Sequence, residues 1–158
     1  RVVLLVPDAA GYAVLSRLVS HGRRRCAKGQ YSLTRADLAT AARSSLLALW
    51  LPGFTPDEEI GRWVATHFAG RAWLAVERFY EGDDLSRLRE LDALGATLDL
   101  PRVAAGDVHM HVPARRPLVD VLTAIRLRQP LASVGAALFQ NGERYLRPRA
   151  RLARLYPR

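Results

Sequence analysis

Residues 100–112 read LPRVAAGDVHMHV, and the fold turns on this stretch. PRVAAGDVH (101–109) reads as a strand, and Asp107, His109 and His111 stand at alternate positions at its end. In an extended backbone alternate side chains point to one side, so a carboxylate and imidazoles converge where the strand ends. A divalent metal takes such donors. A solvated, hydrogen-bonded Asp–His pair has the same spacing, and spacing alone leaves both readings open for Asp107 and His109. His111 is the weaker ligand candidate, because it falls nearest Pro113, where extended backbone gives way to a linker.

Working outward, VVLLV (2–6) reads as a buried strand, and SLLALWL (45–51) and AWLAVE (72–77) as two more strands. Between them lie helical patterns. Asp8 caps a helix expected to stop at Gly22, and Thr34 caps a short one over RADLATAA. TPDEE supplies an N-cap at Thr55, proline at the first helical position and a capping-box Glu58. DDLSRLRELDALGATLD (83–99) makes a long helix before the opening stretch. Short apolar strands alternating with amphipathic helices predict an α/β fold, with parallel strands, helical crossovers and a sheet either open or closed into a barrel. After His111 come VPARRP, a helix over LVDVLTAIRLRQ, an irregular stretch, and a basic helix starting at Pro148. The expected division is therefore 1–112 for the α/β part and 113–158 for a basic helical connector.

The net charge is +9 at neutral pH. Of the 24 basic residues only Lys28 is lysine, which points in part to coding bias. Distribution is more telling. Residues 1–112 carry 14 basic and 13 acidic side chains, whereas 113–158 carry 10 and 2. A basic end of this kind suits nucleic acid. Arg147, Arg151 and Arg154 share one face of an ideal helix, with Leu152 and Leu155 beside them. Those three arginines are the expected nucleic-acid contacts, against the alternative of a solvated arginine face.

The other candidates have plain explanations. His21 and His67 lie at helix ends, where histidine meets the helix dipole favourably. Cys26 sits among Arg23, Arg24, Arg25 and Lys28, but no histidine base stands beside it in sequence. A single cysteine cannot form an internal disulfide, which favours the cytoplasm. No run is long enough for a membrane span. The only methionine is Met110 and the chain opens directly in a strand, so it reads as part of something longer. Phosphate-binding glycine fingerprints, serine elbows and paired zinc cysteines are missing from the sequence.

VVLLVPDAAGYAVLSRLVSHGRRR…KGQYSLTRADL, FAGRAWLAVE, LPRVAAGDVHMHV and ERYLRPRARLARLYP together resemble bacterial C-family DNA polymerases. These are relatives of the replicative polymerase III alpha subunit, and the resemblance is closest to the error-prone, damage-inducible branch. It covers nearly the whole chain, as the second half of a polymerase-and-histidinol-phosphatase (PHP) domain plus the connector toward the polymerase core. It implies a partial PHP-type βα barrel, with metals at the carboxyl ends of its strands. The family's last metal motif, Asp-x-His, falls on Asp107 and His109, where zinc or manganese is the implied ion. The family's remaining ligands precede position 1 of this chain, and Pro52 stands where many relatives carry a cysteine ligand. The implied partners are DNA, other domains of the same polymerase and other translesion-repair proteins. The implied polymerase centre, with its magnesium and paired carboxylates, lies outside this chain, so no catalytic residue is expected within it. A PHP-type metal-dependent phosphoesterase is the alternative, needing more ligands than this chain offers. A non-catalytic nucleic-acid-binding module is the second alternative, resting on the tail alone.

Overall fold

A computed structural model describes residues 1–156. Four strands, β1 (Val2–Leu5), β2 (Leu47–Trp50), β3 (Ala72–Glu77) and β4 (Arg102–Ala105), form one sheet in the order β1-β2-β3-β4. The helices are α1 (Ala9–Arg24), α2 (Arg35–Ala41), α3 (Glu58–His67), α4 (Asp84–Leu98), α5 (Arg116–Leu127) and α6 (Arg149–Leu155). The fold is mixed α/β.

β2 and β3 run parallel, as expected across the single helix α3. β1 departs from the expectation: it pairs β2 antiparallel, with Val2 opposite Trp50 and Leu5 opposite Leu47. The reason lies in the connection. Two helices, α1 and α2, separate these strands, and an up-and-back helix pair leaves the chain at the end from which β2 must run back. β1 also proves to be a half-exposed edge strand, not a buried one, with Val3 and Leu5 facing outward. Among the described residues the sheet is open, with β1 and β4 at its edges.

The chain divides into two compact units, the first comprising 1–75 and 91–103. Its core is built on Leu46, Ala48, Trp50, Val64, Phe68 and Leu74, all essentially inaccessible to solvent. Helix starts are fixed by side-chain caps. Asp8 accepts from the Gly11 amide at 2.6 Å. Thr34 and Asp37 form a reciprocal capping box at the head of α2. At α3 the cap is Asp57, which accepts from the Ile60 amide at 3.1 Å, two residues later than the expected Thr55. Gly22 does not stop α1, which continues to Arg24. It lets Tyr31 pack close, since a Cβ there would lie 2.8 Å from the Tyr31 ring.

Among the described residues the second unit comprises 76–90 and 104–156. It holds α5, whose C-terminus is closed by Arg128 in the left-handed conformation (φ 54°), and α6, which follows Pro148. It also contains Asp107, His109, His111 and the described residues of the basic tail, with the short segment around Phe79 and Glu81.

Candidate functional site

β4 ends at Ala105, so Asp107 and His109 do not stand on a strand as expected. The backbone turns at Asp107, whose φ is +37°. Aspartate tolerates this left-handed region better than most residues. The next residues are held by a different partner. The His109 and Met110 amides both donate to the Arg144 carbonyl, at 2.9 and 3.2 Å, and the Leu146 amide donates to the Met110 carbonyl at 3.0 Å. Met110 and Tyr145 form a parallel bridge, and both side chains are buried.

The turn still brings Asp107 and His109 together, with His109 Nε2 3.4 Å from Asp107 Oδ2. His111 is exposed and takes no part in the cluster. The dominant contact comes from Arg144, whose Nη1 donates to Asp107 Oδ2 at 2.6 Å. Its Nη2 lies 3.6 Å from Glu81 Oε1. The guanidinium is flanked by the rings of Phe79 and Phe139, with its carbon 3.7 and 4.6 Å from their centroids. A cation held against aromatic faces and paired to carboxylates is a strong arrangement. His109 leans on Phe139 as well, at 4.8 Å between ring centroids.

The tail is anchored by a second arginine. Arg147 is 7% exposed, and its Nη2 donates to the Arg78 carbonyl at 2.6 Å and to the Glu143 carbonyl at 3.0 Å. It therefore does not share an exposed face with Arg151 and Arg154. Arg78 in turn donates to the Leu155 carbonyl at the end of α6. The Tyr156 hydroxyl donates to the Val76 carbonyl at 3.1 Å. Burial pushes the Tyr156 phenol above its ordinary value, against the lowering pull of Arg147 and Arg78. Arg151 reaches Glu143 at 3.2 Å while staying largely exposed, and Arg149 and Arg154 are exposed on α6.

No protein-family model matches the chain. Relatives match it over essentially its whole length. An error-prone DNA polymerase of Methylococcus capsulatus is 51% identical over 158 residues, covering 100% of this chain and 15% of the relative. One of Dechloromonas aromatica is 48% identical, covering 99% and 16%. One of Pseudomonas paraeruginosa is 50% identical, covering 99% and 15%. The chain corresponds to one segment of an error-prone DNA polymerase. It spans about 15% of the length of the curated relatives it matches.

In this polymerase segment the residues present do not fit the implied divalent ion. Among the described residues no three His, Cys, Asp or Glu side chains gather into a metal-binding group. Zinc takes about four donors and manganese about six. Asp107 and His109 supply two, and the nearer carboxylate oxygen is already held by a guanidinium. Sequence reasoning missed Arg144, Glu81, Phe79 and Phe139 as members of this cluster. The contact between Arg144 and Asp107 spans 37 residues of chain.

Proposed function

We propose that the chain is a structural segment of a DNA-directed DNA polymerase that acts in damage tolerance. The observation that carries this is identity of about one half across the whole chain to one segment of enzymes named error-prone DNA polymerase. Residues 1–112 serve as part of a PHP-type barrel scaffold, and 113–158 as the connector toward the polymerase core. The exposed face of α5, formed by Leu118, Val121, Leu122 and Ile125, suits packing against another domain of the same polymerase. Nucleotide transfer belongs to a magnesium-bound centre elsewhere in the parent chain, outside these residues. The reading assigns DNA phosphates to Arg149, Arg151 and Arg154, supported by their exposure on α6, and gives Arg147 the role of holding α6 in position.

The phosphoesterase alternative draws no support from this site, because Asp107 and His109 lack both further donors and a free carboxylate. The testing experiment is primer extension by the full-length gene product that carries this segment, with magnesium, on an undamaged template and on one with an abasic site. The expected result is extension on both. A soluble, folded product that incorporates no nucleotide contradicts the reading.

A further inference from the structure

The Asp-x-His motif carries an unmet question: which positive charge balances a carboxylate that the related fold gives to a metal? Asp107 and Glu81 are both largely sheltered, with side-chain exposures of 26% and 18%. A sheltered carboxylate needs a compensating cation and hydrogen bonds. Arg144 meets that need from the 144–146 segment, with its own side chain only 16% exposed. Its guanidinium is 2.6 Å from Asp107 and 3.6 Å from Glu81, between the rings of Phe79 and Phe139.

We propose that Arg144 is the resident cation of this motif, so that Asp107 and His109 form a metal-free structural joint and not a metal site. A divalent ion bound between Asp107 and His109 would compete with the guanidinium for Asp107 Oδ2, the oxygen nearer the imidazole. It would leave Arg144 charged between two aromatic rings and facing a second positive charge. The guanidinium is planar and cannot shed its charge, which makes it a permanent substitute. The joint has a mechanical consequence. The carbonyl of Arg144 accepts from His109 and Met110, and its side chain grips Asp107, so both ends of one residue tie 107–110 to 144–146.

The inference rests on these side chains and not on the polymerase reading, and primer extension is not its readout. Full-length protein is freed of metal by chelation, re-equilibrated separately with zinc and with manganese, and its bound metal measured by mass spectrometry. Wild type and Asp107→Asn are expected to hold equal amounts of both ions. Hydrogen exchange of the peptides covering 104–112 and 139–147 is measured alongside. Arg144→Met and Asp107→Asn should each speed exchange by about tenfold, and the double variant by little more than either alone. Arg144→Lys keeps the charge without the planar stack and should fall between. If Arg144→Met proves insoluble, Asp107→Asn and Arg144→Lys carry the same comparison. A zinc or manganese ion bound to wild type and lost in Asp107→Asn overturns the proposal. So do fully additive effects of the two substitutions, or unchanged exchange in both.

Discussion

Arg71 donates from Nη1 to the carbonyl oxygen of Leu46 at 2.6 Å. The same side chain also reaches the Ser44 carbonyl at 2.7 Å and the Ala42 carbonyl at 2.8 Å. One guanidinium thus satisfies the chain as it leaves α2 and enters β2, where three carbonyls lack a helical or sheet partner.

Arg71→Ala removes all three bonds at once. Hydrogen bonds to charged groups contribute about 1.5–3 kcal/mol each and do not add in a shared network. The expected loss of stability is about 2–4 kcal/mol, read from the urea midpoint. A midpoint within error of wild type would show that water replaces the guanidinium freely.

Acid sensitivity should trace to the helix caps. The Thr34 amide and hydroxyl, with Arg25, hold the Asp37 carboxyl down at about 2. The Gly11 amide and Ser45 hydroxyl lower that of Asp8 too. An unfolded aspartate titrates near 3.9, so between these values the unfolded chain binds more protons and stability rises with pH. The contribution is present above about pH 4 and lost as pH falls toward about 2. Asp37→Asn should lower the melting temperature at neutral pH and flatten its fall between those values. An unchanged acid limb counts against the cap.

Packing inside the first unit is tightest at Gly61. A Cβ there would stand 2.5 Å from Leu98 and 2.6 Å from the fully buried Trp50 ring. Alanine in place of a helical glycine gains about 1 kcal/mol of propensity, while overpacking costs about 1–3 kcal/mol. The clash with a fixed ring should win, giving Gly61→Ala a net loss of up to about 2 kcal/mol in urea. A stabilised variant would place the Trp50 ring elsewhere.

The tail arginines should separate into two kinds. Arg151→Ala with Arg154→Ala is expected to weaken non-specific DNA binding about tenfold, roughly 1.4 kcal/mol, with the difference shrinking as salt rises. Stability should hardly change. Arg147→Ala should instead lower stability, because its guanidinium is buried against backbone carbonyls. Fluorescence anisotropy at two salt concentrations, with urea melts, distinguishes them. Equal DNA affinity in wild type and the double variant would confine Arg151 and Arg154 to a solvated surface.

Much of the fold was legible because its signals are local. Asp8 and Thr34 cap the helices that their sequences announce, and the strand at 72–77 keeps its predicted bounds. What failed depended on distant chain. VVLLV carries no mark of its partner's direction, which is set by the helix pair that follows it. Asp57 displaced Thr55 as a cap because two residues separated only by Pro56 offered the same chemistry. Alternation at 107–111 suggested a strand, yet the aspartate turned the backbone and an arginine far along the chain took its carboxylate. Arg147 read as one more exposed cation, because its burial depends on carbonyls of Arg78 and Glu143.

The central proposal is that this chain serves as a segment of an error-prone DNA polymerase. Its most direct test is a chimera, in which these residues replace the matching segment of the Methylococcus capsulatus polymerase, 51% identical to them. Primer extension past an abasic site is then compared with the unmodified enzyme. The account predicts extension within about tenfold of that enzyme, a barrier difference of about 1.4 kcal/mol. A chimera that is soluble and folded, yet extends neither damaged nor undamaged template, would contradict it.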